Sequence, residues 1–104
     1  MLKETYLGNV RNLPRDSIVV EVTRSKKHVL SPSWNLLNDY KNGKIDWNGY
    51  KKRFLEEMDN EACRVEMHEL WELSRTRDVY LVCFEKEGHC HRFLLLELIN
   101  KMWG

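Results

Sequence analysis

Val79-Tyr-Leu-Val-Cys-Phe84 is a run of six residues whose one polar group is the Tyr80 hydroxyl, and Glu85-Lys-Glu-Gly-His-Cys-His-Arg92 follows it directly. An apolar, β-branched and aromatic run of this kind marks a central strand, covered on both faces and usually parallel to its neighbours. Beyond the polar loop Glu85–His89, the chain from about Cys90 to Trp103 is apolar nearly all round, with Phe93, Leu94, Leu95, Leu96, Leu98, Ile99, Met102 and Trp103. That pattern predicts a largely buried helix.

Upstream, Ser17-Ile-Val-Val-Glu-Val22 reads as a second strand, and Thr23-Arg-Ser-Lys-Lys-His28 as a polar, basic loop. Ser31-Pro32 predicts a helix start, because the hydroxyl caps free N–H groups and proline fits the first helical position. Trp34, Leu37 and Tyr40 then share one face, and Gly43 stops the helix. Asp46 predicts a second cap before Trp47, Tyr50, Phe54 and Met58, and a third helix covers about Glu61–Arg75, with Cys63, Met67, Leu70 and Trp71 inward. Leu2–Val10 offers one more strand. Strand, helices, strand and helix imply a parallel, right-handed crossover. The fold class is α/β, a small mostly parallel sheet with helices packed on it, in a single domain over residues 1–104.

Bulk properties agree with that domain and exclude several classes. A chain of 104 residues buries roughly two-thirds of its unfolded surface, so it needs neither metal nor disulfide to form a core. Charged residues make up 32% but nearly cancel, at net +1, so no global field drives the chain onto nucleic acid or a membrane. No apolar run has the length of a signal peptide or a membrane span. Three cysteines, Cys63, Cys83 and Cys90, is an odd number, which suits a reducing, cytoplasmic setting better than a disulfide framework. The oligomeric state is left open.

Chemistry concentrates in Cys83–Arg92. Ligands of open α/β sheets bind beyond the carboxyl ends of the strands, and a helix N-terminus favours anions there. If the two strands are parallel, the loop carrying Arg24, Lys26 and Lys27 shares that rim and gathers cations, with His28, near the Cys90 helix start. Val82-Cys-Phe-Glu-Lys86 with His89-Cys-His-Arg92 resembles the signature of domain-of-unknown-function family 488, a strand ending in Cys-x-Glu, a short loop, then Cys-His-Arg opening a helix. Val22-Thr-Arg24, Leu30-Ser-Pro-Ser33 and the aromatic helix Trp47–Met58 resemble its archaeal-type branch. The resemblance covers about Ser17 to Trp103. It implies an α/β fold, with Cys83, Glu85, Cys90, His91 and Arg92 as signature positions, and it implies no particular activity. Many members continue into a further strand after the last helix, whereas this sequence runs to Gly104.

Each candidate has an ordinary role beside its chemical one. Cys63 and Cys83 read as small core residues. Cys90, at a helix start among imidazoles and Arg92, has the setting that favours a thiolate. His91 is either a general acid–base or a donor to a backbone carbonyl. Arg92 either clamps an anion or fastens the loop through Glu85 or Glu87, and His28 and His89 read as solvated. Zinc is not expected, because adjacent His-Cys-His side chains diverge and structural sites pair ligands in two arms. The spacing from Cys83 to Arg92 also fails a Cys-x5-Arg phosphate loop. Trp34, Tyr40, Trp47 and Tyr50 read as core before stacking surface. The expected site therefore has Cys90 and His91 as catalytic residues and Arg92, Glu85 and Arg24 as ligand-binding residues, without metal or cofactor. One reading is an enzyme or sensor for a phosphate- or carboxylate-bearing ligand such as a nucleotide. The other is a non-catalytic module for protein or nucleic acid, in which Cys-His-Arg is a structural lock.

Overall fold

The computed structural model describes residues 1–24, 27–86 and 88–104. Three parallel strands form one sheet: β1 (Leu2–Tyr6), β2 (Ile18–Glu21) and β3 (Val79–Cys83), in the order β1-β3-β2. The hydrophobic run is the central strand, as its composition demands. Val79 pairs with Leu2 on one side and Ile18 on the other. The carboxyl ends of all three strands therefore open on one rim. Leu2–Val10 divides into β1 and a 3-10 helix over Leu7–Asn12.

Alternation along β3 sorts its two faces. Val79 and Leu81 enter a core that includes Phe54, Met67, Leu95 and Ile99, all at most 1% exposed. The opposite face is covered near the rim, where Val82 is fully buried, but Tyr80 is only half-buried and its partner Val19 is exposed. Coverage of β3 is thus complete on the helical face and partial on the other.

The helices are α1 (Trp34–Lys41), α2 (Trp47–Met58), α3 (Glu61–Ser74) and α4 (His91–Trp103). Helix α1 starts two residues later than Ser31-Pro32 suggests. Ser31 Oγ donates to the His28 carbonyl instead. Ser33 is the cap, accepting from Leu36 N at 3.1 Å while its own N–H and hydroxyl donate to Glu57 on α2. Contact with a neighbouring helix selects the second serine over the first. Asp46 and Asn60 cap α2 and α3, whereas Cys90 caps α4 without a side-chain bond. That last helix buries Leu94, Leu95 and Ile99 but exposes Phe93 and Met102, so its apolar girth exceeds what the domain covers. Among the described residues no helix is long and apolar enough to cross a membrane.

Leu81→Ala, in the middle of the central strand, should cost about 2–5 kcal/mol in urea unfolding. Val19→Ala on the open face should stay within about 0.5 kcal/mol. Equal losses would mean that the second face is also packed.

Candidate functional site

Helix α4 begins beneath the strand rim, and its first residues reach three different strands. Cys90 Sγ, Cys83 Sγ at the end of β3 and a His91 ring nitrogen lie within 4.8 Å of one another, and all three residues are buried. His91 crosses to the residue after β2, where its Nε2 donates to the Val22 carbonyl at 2.6 Å. In the neutral ring that bond leaves the Nδ1 lone pair facing Cys90 Sγ, 3.8 Å away. Arg92 turns toward β1, with its Nε 3.4 Å from Glu4.

The Arg92 guanidinium is 1% exposed. It donates to the Glu85 carbonyl at 2.6 Å and the Lys86 carbonyl at 3.3 Å. Arg92 thus lies on the loop backbone and on Glu4, and it does not line the adjoining cavity. The Glu85 side chain turns to Cys83, whose Sγ is 3.8 Å from Glu85 Oε2. Glu87 and Lys26 lie outside the described residues, and Lys27 is exposed.

Above the thiols opens a cavity of about 330 Å³, within the usual range for small-ligand sites. Cys83, Cys90 and His91 line it together with Glu85, Arg24 and Thr23. Trp34, Leu37 and Tyr40 on α1 and Trp47 and Tyr50 on α2 line it too. The apolar face expected of α1 therefore exists but looks into this cavity, and Trp34 is 54% exposed rather than core. Trp47 stacks on Tyr50 and on His89, with centroids 5.0 and 4.3 Å apart. Arg24 lies over Trp34 at 5.5 Å, and its buried Nε has no hydrogen-bond partner among the described residues. His28 is not simply solvated, since its Nδ1 accepts from Leu30 N at 3.1 Å. Burial accordingly lowers its pKa, against the pull of Glu66.

Electrostatics divide the two cavity thiols. Cys90 is held well below the ordinary thiol range, first because the Cys83 thiol donates to its sulfur. Burial opposes this, while the His91 ring and the free Arg92 backbone N–H at the helix start support it. Cys83 moves upward in response, through the same hydrogen bond, burial and the charge on Cys90. The Tyr50 hydroxyl is also pushed up, by burial first and then by the two thiols.

Sequence reasoning assigned Cys83, a signature position, to the core and missed Lys41 altogether. Cys83 looks like the last residue of a core run, and only the register that ends β3 beside the α4 start brings its sulfur to Cys90. Of the adjacent His89, Cys90 and His91 side chains only the last two converge, beside Cys83, while His89 turns away to stack on Trp47. Lys41 lines the cavity from the last turn of a helix whose face had been assigned to the core, and no local signal distinguishes it.

Parallel α/β architecture with a thiol–imidazole centre at the carboxyl edge of its sheet defines the class of protein. The chain belongs to the DUF488 family: a family model described as the active DUF488-N3 subclade matches residues 3–103. No curated protein and no solved structure matches the chain.

Two measurements check this geometry. Arg92→Lys keeps the charge but loses the planar fork, and should cost on the order of 1–3 kcal/mol of stability. An unchanged melting temperature would mean that the loop carbonyls are held by something else. Iodoacetamide should modify Cys90 rapidly even below the ordinary thiol value of about 8.5, because the thiolate reacts and a lowered pKa preserves it as pH falls. A rate profile for Cys90 that coincides with that of the urea-unfolded chain would remove the thiolate assignment.

Proposed function

We propose that this chain is a thiol-dependent enzyme that binds an aromatic anion of the nucleotide type and acts on it through Cys90 and His91. The observation that carries the reading is the position of Cys90, whose sulfur lies on the floor of an aromatic-walled cavity beside an imidazole facing it. Flat rings of Trp34, Tyr40, Trp47 and Tyr50 suit a base by stacking. Arg24 and Lys41 on the same lining, and the unpartnered Arg24 Nε, suit a phosphate or carboxylate. The word active in the description of the matched subclade is in keeping with a catalytic role.

His91 can receive the thiol proton at Nδ1 because the Val22 carbonyl fixes the other nitrogen as donor. The thiolate would attack an electrophilic centre of the ligand, and the imidazolium would return its proton to the leaving group. Arg92 supports this pair from outside the cavity, as a positioning residue. Three cysteines without a disulfide among them suit a reducing cytoplasm. The alternative, a binding module without chemistry, draws on Arg92, whose fork is spent on the loop.

Nucleoside monophosphates, inorganic phosphate and acetate are the probes. A nucleoside monophosphate should slow Cys90 alkylation and change the fluorescence of the cavity tryptophans. Arg24→Ala should weaken that protection on the order of tenfold. Trp47→Ala should weaken nucleotide protection more than phosphate protection. Protection without accelerated alkylation would favour the binding module, and no protection by any of the anions would end the nucleotide reading.

A further inference from the structure

We propose that Cys83 and Cys90 close into a reversible internal disulfide, so that the cavity floor is a redox-modification site for peroxide. Their sulfurs lie within 4.8 Å of each other and must approach to about 2.05 Å to bond. Both residues line the cavity at 5% exposure, so a small oxidant reaches them through it. Cys63, buried at 3%, is not among the cavity-lining residues and serves as an internal control. Between the pair runs only the loop Phe84–His89, where Gly88 adopts a φ of 92° that an L side chain resists. Ends already this close carry little loop-closure cost.

The chemistry balances with hydrogen peroxide as the oxidant. The Cys90 thiolate attacks one peroxide oxygen; the S–O bond forms, the O–O bond breaks and hydroxide leaves, giving a sulfenic acid. Cys83 sulfur then attacks Cys90 sulfur; the S–S bond forms, the S–OH bond breaks, and the departing hydroxide takes up the Cys83 proton as water. Glu85 Oε2, 3.8 Å from Cys83 Sγ, is placed to accept that proton in transit. An external dithiol reverses the modification by exchange. The oxidised form lacks the Cys90 thiolate, so closure switches off the chemistry proposed above. The pairing itself depends on no ligand, and its failure leaves the nucleotide reading to its own test.

The experiment treats the reduced full-length chain with hydrogen peroxide, quenches with iodoacetamide, and reads intact mass and peptide map. The expected product has lost two hydrogens, links the Cys83 and Cys90 peptides, and returns to the dithiol form with dithiothreitol. In Cys83→Ser the reaction should stop at a sulfenic acid that dimedone traps on Cys90. Glu85→Gln should form the sulfenic acid at the wild-type rate but close on the order of a hundredfold more slowly. Should the serine variant not fold, the wild-type peptide map decides alone. Over-oxidation of Cys90 without a linked peptide overturns the proposal, as does a link through Cys63. One tightly held zinc per chain that blocks oxidation until chelated would also overturn it, by making the same three side chains a metal set.

Discussion

The buried Arg92 guanidinium is the constraint on which the site depends. It is a charge almost without solvent, held by one carboxylate on β1 and two carbonyls in the loop after β3. Removing a charge from water costs several kcal/mol, which only close and well-oriented partners offset. The Glu85 and Lys86 carbonyls must stay turned inward for that reason. Arg92 thereby ties the chain leaving β3 to the start of α4. The thiol pair is a consequence of that anchoring.

Much of the fold was legible because local signals agreed with one another. The apolar run Val79–Phe84 announced the central strand, and Asp46 with the spacing of Trp47, Tyr50, Phe54 and Met58 announced α2 to the residue. Ser31-Pro32 misled because two serines compete for one helix, and Glu57, twenty-four residues away, decides between them. Sequence spacing carries no information about that partner. Tyr80 likewise failed to report that one face of the strand is thinly covered, since coverage depends on how many helices cross there.

The candidate site was legible as a segment and illegible as an arrangement. Cys90 and His91 were recognisable from a thiol and an imidazole at a helix start. Arg92 carried two equal readings, because a guanidinium fits an anion and a carbonyl pair alike, and only burial separates them. The aromatic stripes posed a related ambiguity. Trp34, Leu37 and Tyr40 do form one face, but periodicity identifies a face without saying whether it meets a core or a cavity.

The divergence of adjacent side chains is what makes the Cys-His-Arg tripeptide useful at this position. Successive helical residues point about 100° apart, so His91 and Arg92 leave the helix start in different directions, and the extended Cys90 before them takes a third. Here those directions meet three parallel strands: Cys90 faces Cys83 on β3, His91 reaches the Val22 carbonyl after β2, and Arg92 reaches Glu4 on β1. Two of these are polar anchors, and they set the helix rotation that leaves the third, the thiol, facing the cavity. The three side chains thus reach across the whole β1-β3-β2 sheet, and the orientation of Cys90 is set by groups that need never touch a ligand.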